Sequence, residues 1–184
     1  CHLNKGTVDM SILCAIKAGE EVWIGSDTHS TDFRYETLLE CGSKFAVYKG
    51  WAVGSAGNTI VNCLLKENAK EILKEVKSPR EVANRILSMY KKNKWVAPNV
   101  EGVPYVGDHS WLIVSDRIWQ GDELFSFAEE KEFSAIGSGA KVAVGAYRAL
   151  KQFKNNPELI LGKILDIVTN YNLYCKGSWT MRLR

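Results

Sequence analysis

The second apolar run of this 184-residue chain ends in the segment Gly25-Ser26-Asp27-Thr28-His29-Ser30-Thr31. The third apolar run, residues 44–48, opens with Lys44, seventeen positions after Asp27. A carboxylate and a lysine at adjacent strand ends can face each other beside the start of the first strand. Because an ammonium buried there lowers the pKa of a neighbouring nucleophile, this pair indicates an enzyme.

Short apolar runs around this pair predict three β-hairpins, which comprise residues 11–17 with 22–25, 44–48 with 51–55, and 111–114 with 118–120. Residues 133–136 and 178–183 predict two further strands, and the proline-containing stretch 96–109 predicts a loop. Apolar residues at helical spacing predict four helices, over 58–77, from 78 to about 94, after Gly137-Ser138-Gly139, and from 158 to about 172.

The element order is therefore strands, two helices, strands, two helices and one strand. Each helix pair has an apolar side that must be covered, and the strands supply the covering surface. We expect an α+β fold, a four-layer αββα sandwich in which two mostly antiparallel sheets stack between two helix pairs.

Composition excludes several classes of protein. The net charge of +3, without a basic run, argues against a nucleic-acid partner. Five cysteines without a CxxC pair indicate neither a disulfide framework nor a zinc site, which fits a reducing compartment. No apolar run approaches membrane-spanning length, and the N-terminus lacks the pattern of a signal peptide. We expect a cytoplasmic protein of one domain, with no metal, no cofactor and no membrane contact.

Three motifs in this order resemble the N-terminal nucleophile hydrolases, specifically proteasome β subunits and the peptidase HslV. Asp27-Thr28-His29-Ser30-Thr31 is similar to their D-T-x-x-T segment after the second strand. Residues 54–59 resemble their G-x-A-G turn into the first helix, and residues 135–139 resemble their G-S-G turn. With Lys44 between the first two motifs, the resemblance extends from Ser11 to Leu183.

The resemblance implies a role for each site residue. In that family the first residue of the mature chain is the nucleophile and its α-amine is the base. Lys44 then acts electrostatically with Asp27, and Ser138 hydrogen-bonds around the α-amine. The N–H of Gly57 stabilises the oxyanion, Thr31 binds the peptide through main-chain hydrogen bonds, and His29 lines the cleft. Taken alone, these residues are typical of turns, strand edges and helix caps.

The identity of the nucleophile stays open at this point. Alignment of the first hairpin places Ser11 at the nucleophile position, which requires residues 1–10 to be a leader and 11–184 the hydrolase domain. Cys1 is the stronger intrinsic nucleophile, but the segment before Ser11 would have to fold back to Lys44. Gly6-Thr7 resembles the cleavage junction of the family and makes Thr7 a third candidate. Asn172 and Cys175 stand where proteasome subunits usually carry Asp and Ser.

The resemblance implies a peptidase that cleaves peptide or unfolded-protein substrates through an acyl-enzyme. It also implies a homo-oligomeric ring, with an ATPase unfoldase as partner by analogy with HslV. We expect exposed apolar faces on the helices at 58–94 to form the ring contacts. Two alternatives are a non-catalytic ring subunit that retains its leader and an acylase of small amides with Cys1 as nucleophile.

Overall fold

The computed structural model describes residues 11–32, 37–57, 59–92, 97–98, 104–105, 109–152 and 156–183. Among these, side chains are described except at 31–32, 37–39, 59–60, 97–98 and 104–105. Cys1, Thr7 and the rest of the predicted leader lie outside the described residues, as does Asn58 in the predicted turn into the first helix.

The strands and helices follow the predicted order. The first half of the chain contains β1 (Leu13–Ala18), β2 (Glu21–Ser26), β3 (His29–Asp32), β4 (Thr37–Glu40), β5 (Phe45–Tyr48), β6 (Trp51–Ala56), α1 (Thr59–Glu67), α2 (Ala69–Leu73) and α3 (Pro79–Lys92). The second half contains β7 (Ala97–Pro98), β8 (Pro104–Tyr105), β9 (Ser110–Val114), β10 (Ile118–Gly121), β11 (Phe127–Glu130), β12 (Phe133–Ile136), α4 (Ala140–Leu150), α5 (Pro157–Tyr171) and β13 (Trp179–Leu183).

Two antiparallel sheets form the centre of the fold. The four-stranded sheet has the order β12-β1-β2-β13, and the five-stranded sheet has the order β11-β10-β9-β6-β5. Pairing of β1 with β2 extends from Leu13–Ser26 to Ala18–Glu21, so the tight turn at Gly19 closes the first hairpin as predicted. Pairing of β5 with β6 ends at Phe45–Gly54. Both hairpins therefore end beside the residues that the sequence analysis singled out.

Three apolar clusters show that the two sheets face each other between two helical layers. One cluster lies between the sheets and includes Leu13 and Ile24 of one sheet with Leu112 and Val114 of the other. A second joins the five-stranded sheet to α1–α3, and a third joins the four-stranded sheet to α4 and α5. The chain thus forms the predicted four-layer αββα sandwich.

The sequence missed some local features. The helix predicted over 58–77 is interrupted at Asn68, whose backbone N–H and side-chain Nδ2 both donate to the carbonyl oxygen of Leu64, at 3.0 and 2.9 Å. The backbone departs from helical geometry at Asn68, where φ is −107° and ψ is 16°, and this separates α1 from α2. Strands β3, β4 and β11 were not predicted, because none of them alternates apolar and polar residues clearly. The short strands β7 and β8 lie in the stretch 96–109 that was predicted as a loop.

The expectation of exposed apolar faces on residues 58–94 is wrong for the described residues. The apolar sides of α1–α3 pack onto the five-stranded sheet, where Leu65, Ile86 and Tyr90 are at most 2% exposed. The exposed large hydrophobic side chains of the described part lie elsewhere, at Leu124, Val142, Leu159, Tyr171, Leu173, Tyr174 and Met181. None of the helices in the described residues combines the length and apolarity needed to cross a membrane.

Candidate active site

Lys44, Asp27 and Ser11 meet at one end of the two sheets. The ammonium of Lys44 donates to Ser11 Oγ at 2.8 Å and lies 2.8 Å from each carboxylate oxygen of Asp27. Lys44 is 2% exposed, Asp27 is fully buried and Ser11 is 6% exposed. The structure therefore brings together a hydroxyl, an ammonium and a carboxylate in a place with little access to water.

Strand ends hold these three residues. Beyond the last β1–β2 pair, the Asp27 N–H donates to the carbonyl oxygen of Ile12 at 3.1 Å, and the Ile12 N–H donates to Asp27 Oδ1 at 3.0 Å. The N–H of Lys44, just before β5, donates to Ser26 Oγ at 3.1 Å. Hydrogen bonds of the Ile12, Asp27 and Lys44 backbone N–H groups thus fix the Asp27 carboxylate and the Lys44 backbone.

Burial shapes the electrostatics of this cluster. Loss of water raises the pKa of Asp27 above its usual range, while the charge of Lys44 and hydrogen bonds from Lys44 and the Ile12 N–H oppose that rise. Burial also raises the pKa of the nearby Cys14 thiol, and the charge of Asp27 adds to the effect. Cys14 therefore stays a protonated thiol and does not compete with Ser11 as a nucleophile.

The turn between β12 and α4 holds the backbone of Ser11. The carbonyl oxygen of Ser11 accepts from the Gly139 N–H at 3.4 Å and from the Ser138 hydroxyl at 3.5 Å. Asn172 Nδ2 donates to Ser138 Oγ at 3.1 Å, and Cys175 Sγ lies 3.9 Å from the same atom. Ser138, Asn172 and Cys175 therefore form a neutral polar group against the first residue of the predicted domain.

Gly137 is the close-packed residue of this turn. Its φ is +96°, and a Cβ there would meet the carbonyl oxygen of Ser11 and lie 3.3 Å from Ala56 Cβ. The end of β6, the G-S-G turn and Ser11 are thus in contact. Ala56 is followed by Gly57, whose φ of +143° also lies in the range that favours glycine.

Gly137→Ala is expected to lower the free energy of unfolding by about 2–4 kcal/mol, because it combines a strained backbone with a clash against Ser11. Denaturant unfolding would measure the loss. Gly19→Ala is the matched control, because Gly19 has a φ of +61° but nothing within 4 Å of its Cβ position. Equal losses for the two variants would show that the contact with Ser11 contributes nothing.

His29 and Thr31 lie on β3, which begins two residues after Asp27. His29 Nδ1 lies 2.9 Å from the carbonyl oxygen of Lys176, so the tautomer with a proton on Nδ1 donates this hydrogen bond. The ring of His29 thereby ties β3 to the segment before β13. Thr31 pairs with Leu38 of β4, and its side chain is outside the described ones.

Two polar residues at the site escaped the sequence analysis. Ser26 was quoted only as part of a motif, yet it fixes the Lys44 backbone. Asn62, on α1, binds the end of β6 next to Gly57 through hydrogen bonds to Ser55. The sequence offered one signal for Asn62, which is a polar residue on the side of α1 that is buried. The described residues contain no group of three or more side chains able to hold a metal ion.

Solved structures share the fold of this chain over nearly its full length. BPH of Thiobacillus denitrificans matches at a TM-score of 0.75 with 15% identity, covering 94% of this chain and 98% of that one. The same protein in complex with epoxomicin matches at 0.74 with 16% identity, covering 94% and 99%. HslV from Trypanosoma brucei matches at 0.68 with 18% identity, covering 94% and 99%.

The chain therefore has the same proteasome-like fold as BPH and HslV. This confirms the fold that the three sequence motifs predicted. No protein-family model and no curated protein matches the chain. At these levels of identity the likeness establishes the fold alone.

Proposed function

We propose that this chain is a peptide-bond hydrolase whose nucleophile is Ser11, set free as the N-terminal residue by cleavage after Met10. The observation that carries the proposal is the 2.8 Å hydrogen bond from the buried Lys44 ammonium to Ser11 Oγ. The fold supports the proposal, because the chain shares it with HslV, which the sequence resemblance names as a peptidase. Residues 1–10 are then a leader, and the hydrolase domain begins at Ser11.

Cleavage before Ser11 matters because an amide nitrogen has no basic lone pair. A terminal α-amine has a pKa of about 7.7–8.0, close to the working pH, and can take the proton of the Ser11 hydroxyl. The Lys44 ammonium forms an ion pair with the Asp27 carboxylate at 2.8 Å. Lys44 therefore donates a hydrogen bond to Oγ and stabilises the negative charge that develops there, rather than removing its proton.

The reaction then follows two steps. Ser11 Oγ attacks the substrate carbonyl carbon while the α-amine accepts the hydroxyl proton, and the Gly57 N–H donates to the resulting oxyanion. The C–N bond breaks as the α-ammonium gives its proton to the leaving amine, which leaves an ester on Ser11. Water, deprotonated by the α-amine, attacks the ester, and Oγ recovers a proton as the acid product departs.

The substrate and assembly are part of the same proposal. An extended peptide would bind along β3 near Thr31 by main-chain hydrogen bonds, as an added strand. Copies of this chain would assemble into a homo-oligomer. The exposed residues Tyr171, at the end of α5, and Leu173, just after it, are available for contacts between copies, in contrast to the buried apolar sides of α1–α3.

Intact-mass measurement combined with covalent labelling tests this proposal. The full chain and a chain whose first residue is Ser11 would each be incubated with epoxomicin, the compound present in one of the Thiobacillus structures. We expect one adduct per chain, on Ser11, only where Ser11 is the first residue. No adduct on either chain would contradict the proposal and favour a non-catalytic subunit, and an adduct on Cys1 would favour an amide acylase.

A further inference from the structure

The side chain of Asn62 closes the turn that follows β6. Asn62 Oδ1 accepts from the Ser55 N–H and from the Ser55 hydroxyl, both at 3.1 Å, and Asn62 Nδ2 donates to the Ser55 carbonyl oxygen at 2.9 Å. Asn62 is 5% exposed and Ser55 is fully buried. One carboxamide therefore holds every hydrogen-bonding group of Ser55.

This contact lies where the β5–β6 ladder stops. The last pair is Phe45–Gly54. Lys44, which precedes Phe45, donates its N–H to Ser26 Oγ instead of to β6. The Asn62 carboxamide presents one acceptor and one donor, as a peptide group of a neighbouring strand would. It thus serves as the pairing partner of Ser55 where Lys44 has turned away toward Ser11.

We propose that Asn62 is a positioning residue that fixes the direction of the Gly57 N–H. The inference rests on the proposed function, in which that N–H stabilises the oxyanion. Ser55, near the end of β6, and Asn62, in the first turn of α1, flank the turn that contains Gly57, and three hydrogen bonds join them across it. Gly57 follows Ser55 by two residues and has a backbone conformation that few other residues adopt, so its N–H direction depends on this anchorage.

Asn62→Ala is expected to lower kcat by about 10- to 100-fold with little change in KM, because a small displacement of an oxyanion donor affects the transition state more than substrate binding. A peptide aldehyde is expected to bind about 10-fold more weakly, since its hemiacetal oxygen uses the same donor. Hydrogen exchange of the Ser55 amide, followed by mass spectrometry or NMR, should become at least about 10-fold faster.

Two variants serve as controls. Asn68→Ala removes a side-chain hydrogen bond to Leu64 at the end of the same helix, without contact to Ser55. Ser134→Ala removes a buried hydroxyl that donates to Gln120 Oε1 at 2.8 Å and takes no part in the Ser55–Asn62 contact. Both controls are expected to keep kcat, KM and the exchange rate of residue 55 within about 3-fold of the unchanged chain. Asn62→Asp keeps the acceptor but loses the donor, and should lower kcat as Asn62→Ala does.

The exchange measurement separates this inference from the proposed function. If the chain cleaves no peptide but exchange at residue 55 accelerates in Asn62→Ala only, the proposed function fails and the structural part of the inference stands. If Asn62→Ala folds, and its kcat and exchange rate match those of Asn68→Ala, Asn62 does not position Gly57 and the inference is overturned.

Discussion

Lys44→Met is expected to lower kcat/KM by at least about 10³-fold, because it removes the ammonium that contacts Ser11 Oγ. It also leaves Asp27 buried without its counter-charge, which is expected to lower the free energy of unfolding by about 3–5 kcal/mol. Peptide-hydrolysis kinetics and denaturant unfolding measure the two effects. A chain that begins at Ser11 is used throughout, so that leader removal does not influence the result.

A double variant separates activity from stability. Asp27→Asn combined with Lys44→Met removes both charges, so we expect it to recover part of the lost stability while hydrolysis stays absent. Lys151→Met is the matched control, because Lys151 pairs with Glu132 at 3.0 Å with both side chains at least half exposed. Because this pair is exposed to solvent, we expect its loss to leave the unfolding midpoint nearly unchanged and the activity intact. Wild-type kinetics in Lys44→Met would remove the basis of the proposed mechanism.

Ser11→Ala is expected to lower kcat/KM by at least about 10³-fold while the fold is kept, because only the attacking oxygen is lost. The backbone hydrogen bonds of the Ser11 carbonyl to Gly139 and Ser138 do not depend on the side chain. Ser11→Thr retains a hydroxyl and should retain measurable hydrolysis. Both variants are compared in chains that begin at residue 11, by peptide hydrolysis and by labelling with epoxomicin.

Ser134→Ala is the control for Ser11→Ala. Ser134 is also buried, and its hydroxyl donates one hydrogen bond to Gln120 Oε1 at 2.8 Å within the sheets. We expect its loss to lower the free energy of unfolding by about 1 kcal/mol and to leave hydrolysis intact. Full activity in Ser11→Ala would contradict the assignment of Ser11 as the nucleophile, because Cys1 and Thr7 are absent from a chain that begins at residue 11.

The layered fold was accessible from sequence because its information is local. Hairpins such as β1–β2 carry apolar runs around a tight glycine turn, and α3 has Ser78 Oγ accepting from the Glu81 N–H at 3.3 Å, as the capping pattern predicts. By contrast, β3 is composed of His29-Ser30-Thr31-Asp32, and its pairing with β4 depends on neighbours that periodicity does not reveal.

The candidate site was accessible only in part. Asp27 and Lys44 were identifiable because unlike charges follow and precede apolar runs, and the structure places them in contact. The roles of Ser26 and Asn62 depend on which backbone groups lack a strand partner, and that becomes known only once the strand register is known. A side chain that hydrogen-bonds to the backbone in place of a neighbouring strand does not recur at helical or strand spacing. Hydrophobic periodicity therefore does not identify it.

The hydroxyl, carboxylate and ammonium of the candidate site come from different sheets. Ser11 and Asp27 flank the β1–β2 hairpin of the four-stranded sheet, whereas Lys44 leads into β5 of the five-stranded sheet. A sideways slip of one sheet against the other by a single ångström would therefore separate the ammonium from both partners. Leu13 and Leu112 pack in the interior between the sheets and maintain their alignment. Cavity-forming substitutions there are therefore expected to weaken the proposed hydrolysis at denaturant concentrations too low to unfold the chain.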